Sequence, residues 1–169
     1  DSPGSQVLCA LVERLAGKGY AQYEISNFAQ KGFRSRHNSR YWDLSDYLGF
    51  GCAAHSFYGG KRFSFTSDID AYIRGMNGQQ AIVEDADEEA FTDRVGEFIM
   101  LALRTCDGID ENAFYSRWKR EFTPFASRLE PYIKTGHVQR DAGRWHLTPK
   151  GFLVSNAIIA QLTDAIEKK

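Results

Sequence analysis

Residues 36–57 read RHNSRYWDLSDYLGFGCAAHSF, and this stretch decides the fold assignment. It contains two histidines, five aromatic residues and a cysteine, with glycines between them. Its first part, HNSRYW, is polar and aromatic, whereas YLGFGCAAH further along is apolar and small. The two parts therefore predict different local structures and different roles in a site.

The segment from residue 47 to residue 54 predicts a β-strand, in which successive side chains point to opposite faces. One predicted face has almost no bulk before its histidine: Gly49, Gly51, Ala53 and His55. The other is predicted to be ordinary core: Leu48, Phe50, Cys52 and Ala54. Because glycine weakens a strand, a ligand or another backbone is expected against the bare face. Close helix packing explains the same pattern, and an isolated histidine such as His55 is more often structural than a ligand.

The segment HNSRYW predicts a binding surface. His37 and Tyr41 are four residues apart and share a face if this is a helical turn. Trp42 adds a large flat surface, and residues 31–40 carry four cations and no acid: Lys31, Arg34, Arg36 and Arg40. Imidazole is a good axial ligand for haem iron, and arginine pairs well with carboxylates such as propionates. The alternative is an aromatic-rich loop packed on its own domain, with solvated cations.

Composition excludes several classes of protein. With 43% hydrophobic residues the chain can bury a core, and its net charge of −1 gives no attraction to nucleic acid or anionic lipid. The longest apolar runs are too short to cross a bilayer, and the N-terminus lacks the pattern of a signal peptide. Three widely spaced cysteines predict neither a disulfide framework nor a metal knuckle. They are expected as small buried side chains in a reducing cytoplasm.

The first half predicts alternating elements. A helix is expected over residues 5–16 and a strand over residues 20–25, followed by a polar loop to about residue 40. Ser67 is the expected cap of a short helix that ends near Gly75 and Gly78. The acidic residues 83–89 are expected to form a linker.

The second half predicts helices and a hairpin. One helix should end near Thr105, a second should run from Asp110 to about Trp118, and a third should open at Thr123 and end near Gly136. HVQRDAGRWHL predicts a β-hairpin, and Thr148 caps a last helix. This order is typical of a winged helix. DNA binding is disfavoured, because the candidate recognition helix offers only two cations and the half has no net charge.

GYAQYEISNFAQKGFRSRHNSRYW (19–42), YLGFGCAAHSF (47–57) and EFIMLALRTCDGID (97–110) resemble the oxygen-independent coproporphyrinogen III oxidase-like radical-SAM family. The combination of YEISNFA with HNSRYW resembles its haem-chaperone branch. The resemblance implies an α/β plus α+β fold. Residues 1–80 would be the last units of an incomplete radical-SAM (β/α) barrel, and residues 81–169 a winged-helix-like C-terminal domain.

The same resemblance implies a tetrapyrrole site. An HNxxYW motif associated with haem binding carries over as His37, Asn38, Tyr41 and Trp42, with His37 as the expected iron ligand and His55 as the alternative. Arg34, Arg36 and Arg40 are candidates for propionate contacts. Gly49, Gly51 and Ala53 would leave room for a ligand in the barrel cavity. The implied function is haem binding and delivery to haem-accepting proteins; the alternative is oxygen-independent coproporphyrinogen III dehydrogenase.

One departure from the family bears on activity. The family holds a [4Fe–4S] cluster on a CxxxCxxC motif and uses S-adenosyl-L-methionine, but this sequence contains no such motif. Cys9, Cys52 and Cys106 are too far apart in sequence to replace it. The chain is therefore expected to be the C-terminal part of a larger protein and to perform no radical chemistry alone. An open strand edge would also lead it to self-associate.

Overall fold

The computed structural model describes residues 3–87 and 91–167, which form a mixed α/β fold. The helices are α1 (Pro3–Ala16), α2 (Arg36–Trp42), α3 (Ile69–Met76), α4 (Phe91–Ala102), α5 (Glu111–Trp118), α6 (Thr123–Lys134), α7 (Pro149–Phe152) and α8 (Ser155–Glu167). The strands are β1 (Ala21–Gln22), β2 (Phe28–Ala29), β3 (His55–Tyr58), β4 (Lys61–Phe65), β5 (Val83–Asp87), β6 (Ile109–Asp110), β7 (Val138–Asp141) and β8 (Arg144–Leu147).

The strands form three small antiparallel sheets. β1 pairs with β2, the second sheet has the order β3–β4–β5, and the third has the order β6–β8–β7. Within residues 3–87 and 91–167 these sheets do not close into a barrel. The second sheet contacts α4 through an ion pair of 2.5 Å between Arg62 Nη2 and Glu97 Oε1.

The main hydrophobic core lies in the second half of the chain. α4 contributes Val95 and Ile99, which are four residues apart and completely buried, as the helical periodicity predicts. Further large side chains of this core come from α5, α6, α8 and the third sheet, among them Phe114, Trp118, Phe125, Leu129, Val138, Trp145, Leu147, Ile158 and Leu162. Complete burial of such a side chain stabilises the fold by about 1.5–3 kcal/mol. The second half therefore holds most of the stability of the described chain.

Side-chain caps explain the starts of α2, α3, α5 and α7. Asp110 accepts from Ala113 N at 2.9 Å and Thr148 accepts from Gly151 N at 3.1 Å, which confirms both predicted caps. α3 starts one residue later than predicted, because Asp68 rather than Ser67 accepts from Ala71 N. α6 includes Thr123 and has no side-chain cap. The predicted last helix is two helices, α7 and α8.

The predicted strand over residues 47–54 is wrong. Only Tyr47 pairs, in an isolated bridge with Phe57, and the next strand begins at His55. Gly51 and Ala53 have φ angles of +110° and +59°, which an extended strand cannot accommodate. A Cβ atom on Gly49 would lie 2.4 Å from the carbonyl oxygen of His55. The backbone of the chain itself, rather than a ligand, therefore lies against Gly49.

Two further expectations differ from the structure. Residues 83–87 of the predicted acidic linker form β5, which pairs with β4 through Phe65 and Val83; residues 88 and 89 lie outside the described residues. The predicted loop before residue 40 contains β2 and α2. Both differences arise because strand pairing and helix capping outweigh a polar composition.

Candidate functional site

HNSRYW lies in α2, so the condition under which His37 and Tyr41 share a face is met. Ser35 is the N-cap of α2 and accepts from Asn38 N at 3.2 Å, while Ser39 Oγ donates back to Ser35 O at 2.8 Å. The helix ends at Trp42, followed by the C-cap Asp43. These local bonds satisfy backbone groups in the first turn of a short surface helix, and helical geometry places residues four apart on one face.

His37 and Tyr41 form a pair on that face. His37 Nε2 and Tyr41 Oη are 2.7 Å apart, and the two rings meet edge to face with centroids 5.1 Å apart. The Tyr41 ring also contacts the Tyr47 ring edge to face, with centroids 4.5 Å apart. Both members of the pair are exposed to solvent. The imidazole is therefore accessible to a ligand and oriented by a phenol.

An open cleft of about 420 Å³ lies beside this pair, lined by His37, Arg40, Asp46, Tyr47, Leu48, Phe50 and Tyr58. Phe50 is 87% exposed and Leu48 is 47% exposed, so the prediction that both belong to the core is wrong. Residues 48–54 do not follow the alternation of a strand, and their apolar side chains are therefore not directed into a core. The result is an apolar surface beside an imidazole and a cation.

The predicted cations do not meet in one place. Arg40 lines the cleft, where its Nη1 donates to Asp46 O at 3.0 Å, and Arg36 is exposed in the first turn of α2. Arg34 instead donates to both carboxylate oxygens of Asp107, at 2.9 and 2.7 Å, and its hydrogen bond to Asp107 raises its pKa. Arg34 therefore links the segment before α2 to the second half of the chain.

The motif HNxxYW is divided between two faces of α2. Trp42 lines a second cavity of about 140 Å³ behind the helix, together with Arg34, Phe98 and Asp107. Asn38 is half-buried, and its backbone N–H takes part in the helix cap. His37 thus lines the open cleft and Tyr41 contacts it from the same face of α2, whereas Trp42 packs toward α4.

The remaining sequence-predicted site residues lie apart from this cleft. His55 is exposed at the first position of β3, opposite Ser64, and does not line the cleft. Gly49, Gly51 and Ala53 lie in the irregular segment before it and share no strand face with it. Asp46, Tyr47 and Tyr58 are cleft residues that sequence reasoning missed. Their only signal was the clustering of aromatic residues around YLGF.

The three cysteines have separate surroundings. Cys9 is exposed on α1, so its predicted burial is wrong; Cys52 Sγ donates to Thr66 O at 3.2 Å; and Cys106 receives a bond from Arg34 Nη2 at 3.0 Å. Among the described residues no three histidine, cysteine or acidic side chains are grouped as a metal site. These residues therefore do not fit a [4Fe–4S] cluster.

Cys106 is expected to react with iodoacetamide at least about tenfold more slowly than Cys9 at pH 7.5. Burial raises the pKa of the Cys106 thiol, and the carboxylate of Asp107 raises it further against the opposing charge of Arg34. Less thiolate is therefore present at neutral pH, and the alkylation rate of Cys106 should keep rising as the pH is raised. Peptide mapping by mass spectrometry measures both rates. Equal rates in the folded chain, as expected in denaturant, would contradict this prediction.

In the described part of the chain, no helix combines the length and the hydropathy that crossing a membrane requires.

Comparisons with known proteins agree with this arrangement. Residues 92–154 match the family model described as the HemN C-terminal domain. Two curated proteins named "Heme chaperone HemW", from Bacillus subtilis and Escherichia coli, are each 30% identical to the chain, over 149 and 148 residues. The matches cover 88% and 86% of this chain, but only 39% and 38% of those proteins. The chain thus spans about two fifths of the length of these curated relatives.

A solved structure shows the same fold. It is described as coproporphyrinogen III oxidase (HemN) from Escherichia coli, a radical SAM enzyme. The likeness has a TM-score of 0.68 at 18% identity and covers 99% of this chain and 42% of that one. At this level of identity, the likeness supports the fold and not the activity.

Proposed function

We propose that this chain belongs to the oxygen-independent coproporphyrinogen III oxidase-like family and is part of a haem-binding and haem-delivery protein. The observation that carries this proposal is the accessible His37–Tyr41 pair beside an apolar cleft. Relatives of similar sequence are named haem chaperones, which favours the same reading.

The residues of the cleft fit a tetrapyrrole as cargo. An imidazole supplies a ligand for haem iron, and here His37 Nε2 would exchange the Tyr41 hydroxyl for the metal. Leu48, Phe50 and Tyr58 offer the apolar surface that a macrocycle needs. Because guanidinium groups pair with carboxylates, Arg40 and Arg36 are the proposed propionate contacts. Arg34 is a weaker candidate, since Asp107 already occupies its guanidinium group.

Titration of the chain with ferric haem tests the proposal. We expect saturable binding with a shifted Soret band, and an affinity at least about tenfold lower in His37→Ala, because an axial ligand is lost. His55→Ala is the matched control, since His55 is also exposed but lies outside the cleft. Equal binding by wild type and His37→Ala would refute His37 as the ligand, and weakening only in His55→Ala would transfer that role to His55.

The sequence resemblance to the oxygen-independent coproporphyrinogen III oxidase-like family, carried by HNSRYW and YLGFGCAAHSF, leaves a second candidate function. A coproporphyrinogen III dehydrogenase would oxidatively decarboxylate two propionate side chains, using a [4Fe–4S] cluster and S-adenosyl-L-methionine. We propose both cofactors for the whole protein only, because the described residues fit no cluster site. Formation of protoporphyrinogen by the whole, cluster-loaded protein would favour the enzyme, and haem transfer to an apo-acceptor without that reaction would favour the chaperone.

The remaining expectations are also proposals. We propose that residues 1–80 contain the end of a radical-SAM barrel and that residues 81–169 form a winged-helix-like domain. β5, just after this division, pairs with β4 and so joins the start of the second unit to a sheet of the first. A tetrapyrrole ligand, haem-accepting proteins and a cytoplasmic location fit this reading, whereas nucleic acid does not. Exposed apolar residues on α1 and α3, including Val7, Ile69 and Met76, support the expected self-association.

A further inference from the structure

The helix that carries the His37–Tyr41 pair has little support of its own. α2 is only seven residues long and contains no buried residue. Isolated helices of this length are unstable in water, because the cost of nucleation is not recovered over so few hydrogen bonds. Contacts from outside α2 must therefore hold the pair in its orientation.

Arg117, on α5, supplies such a contact at the C-terminal end of α2. Its Nη1 donates to Asp43 O at 2.9 Å and its Nη2 to Leu44 O at 3.5 Å. Asp43 is the C-cap of α2, and Leu44 is buried with a positive φ of 54°. A side chain in this conformation is disfavoured, so the bond from Arg117 to its carbonyl oxygen helps to hold the turn that ends the helix.

Arg117 is itself fixed by the second half of the chain. Its guanidinium group lies 5.0 Å from the ring centroids of both Phe98 and Trp118. Burial lowers the pKa of Arg117, and the carboxylate of Asp43 opposes that shift. The group is therefore a guanidinium held against two rings, with its donors directed at α2.

The other end of α2 is linked to the same half. Arg34, one residue before the N-cap Ser35, forms its ion pair with Asp107 at 2.7 Å. Both arginine links reach the region that matches the HemN C-terminal domain, where Asp107 and Arg117 lie. The helix is thus held at each end by that domain.

We propose that Arg117 is a positioning residue through which the C-terminal domain sets the orientation of the His37–Tyr41 pair and of the cleft segment after it. The ligand of this site rests on the proposed haem function, whereas the positioning does not. Among the described residues its hydrogen bonds go to the backbone carbonyls of Asp43 and Leu44, so it acts on the end of α2 and on the chain leading to Tyr47 rather than on the ligand.

Amide hydrogen exchange in the ligand-free chain tests the positioning separately from haem. We expect the amides of residues 36–47 to exchange faster in Arg117→Ala. Arg117→Lys should be intermediate, because an ammonium group can bond one carbonyl oxygen but lacks the two parallel N–H donors of a guanidinium group. Arg140→Ala is the matched control, because it removes an arginine with similar contacts elsewhere in the domain. The Arg140 guanidinium group lies 5.0 Å from the centroid of the Trp145 ring and pairs with Glu111. Unchanged exchange in Arg117→Ala would overturn the proposal.

Haem titration of the same variants completes the test. We expect about tenfold weaker binding and an altered Soret band in Arg117→Ala, partial recovery in Arg117→Lys, and wild-type behaviour in Arg140→Ala. If His37→Ala weakens binding but Arg117→Ala does not, the positioning role is wrong and the haem proposal stands. If wild type binds no haem while Arg117→Ala still speeds exchange in residues 36–47, the haem proposal fails and the positioning stands.

Discussion

Phe114→Ala is expected to lower the free energy of unfolding by about 3–5 kcal/mol. Phe114 is 1% exposed and packs against three other aromatic rings, with centroid distances of 6.2 Å to Phe98, 5.2 Å to Phe122 and 5.8 Å to Phe125. Removing it leaves a cavity between α4, α5 and α6 that these rigid rings cannot fill. Chemical denaturation followed by tryptophan fluorescence measures the loss.

Tyr115→Ala is the matched control for Phe114, because it removes an aromatic side chain one residue away that is 50% exposed. Its expected cost is below about 1 kcal/mol. If the alanine variant does not fold, Phe114→Leu should fold with a smaller loss, since it fills part of the cavity. A loss in Phe114→Ala no larger than that of the Tyr115 control would contradict the position of the core.

Gly108→Ala is expected to destabilise the chain by about 2–4 kcal/mol, again measured by denaturation. Gly108 has a φ of +58°, and a Cβ atom there would lie 2.0 Å from the carbonyl oxygen of Trp145 and 2.7 Å from the Cβ atom of His146. Both neighbours belong to β8, and Ile109 pairs with Trp145 in the third sheet. The substitution therefore forces β6 away from β8, in addition to its backbone strain.

Gly136→Ala separates these two causes. Gly136 has a φ of +74°, but no other atom lies within 4 Å of a Cβ atom built on it. Only the backbone strain remains, and the expected cost is about 1 kcal/mol. Similar losses at the two glycines would mean that close approach to β8 does not constrain Gly108.

Local sequence signals determined the helical parts of this protein. The apolar spacing of Val95 and Ile99 predicts α4, and the capping groups of Asp110 and Thr148 predict the starts of α5 and α7. These signals work because helix formation depends on neighbours three or four positions apart. The same spacing correctly placed His37 and Tyr41 on one face of α2.

Tertiary contacts decided what local signals could not. Alternation of small and apolar residues predicted a strand over residues 47–54, but the backbone of His55 lies against Gly49 and Ala53 has a positive φ. A strand requires a pairing partner, and alternation alone cannot supply one. The exposure of Leu48 and Phe50, which forms the cleft, follows from that missing pairing.

The sequence by itself indicated the resemblance to the family, most helices of the second half and the residues of the HNxxYW motif. Only the tertiary structure showed that the motif is divided between the side of the open cleft and the face toward α4. It also showed that Arg34 pairs with Asp107 outside the cleft and that Arg117 bonds the end of α2. Arg34 and Arg117 bond partners more than 70 positions away in sequence. Such contacts depend on how two halves of the chain pack, and no local pattern of residues specifies that packing.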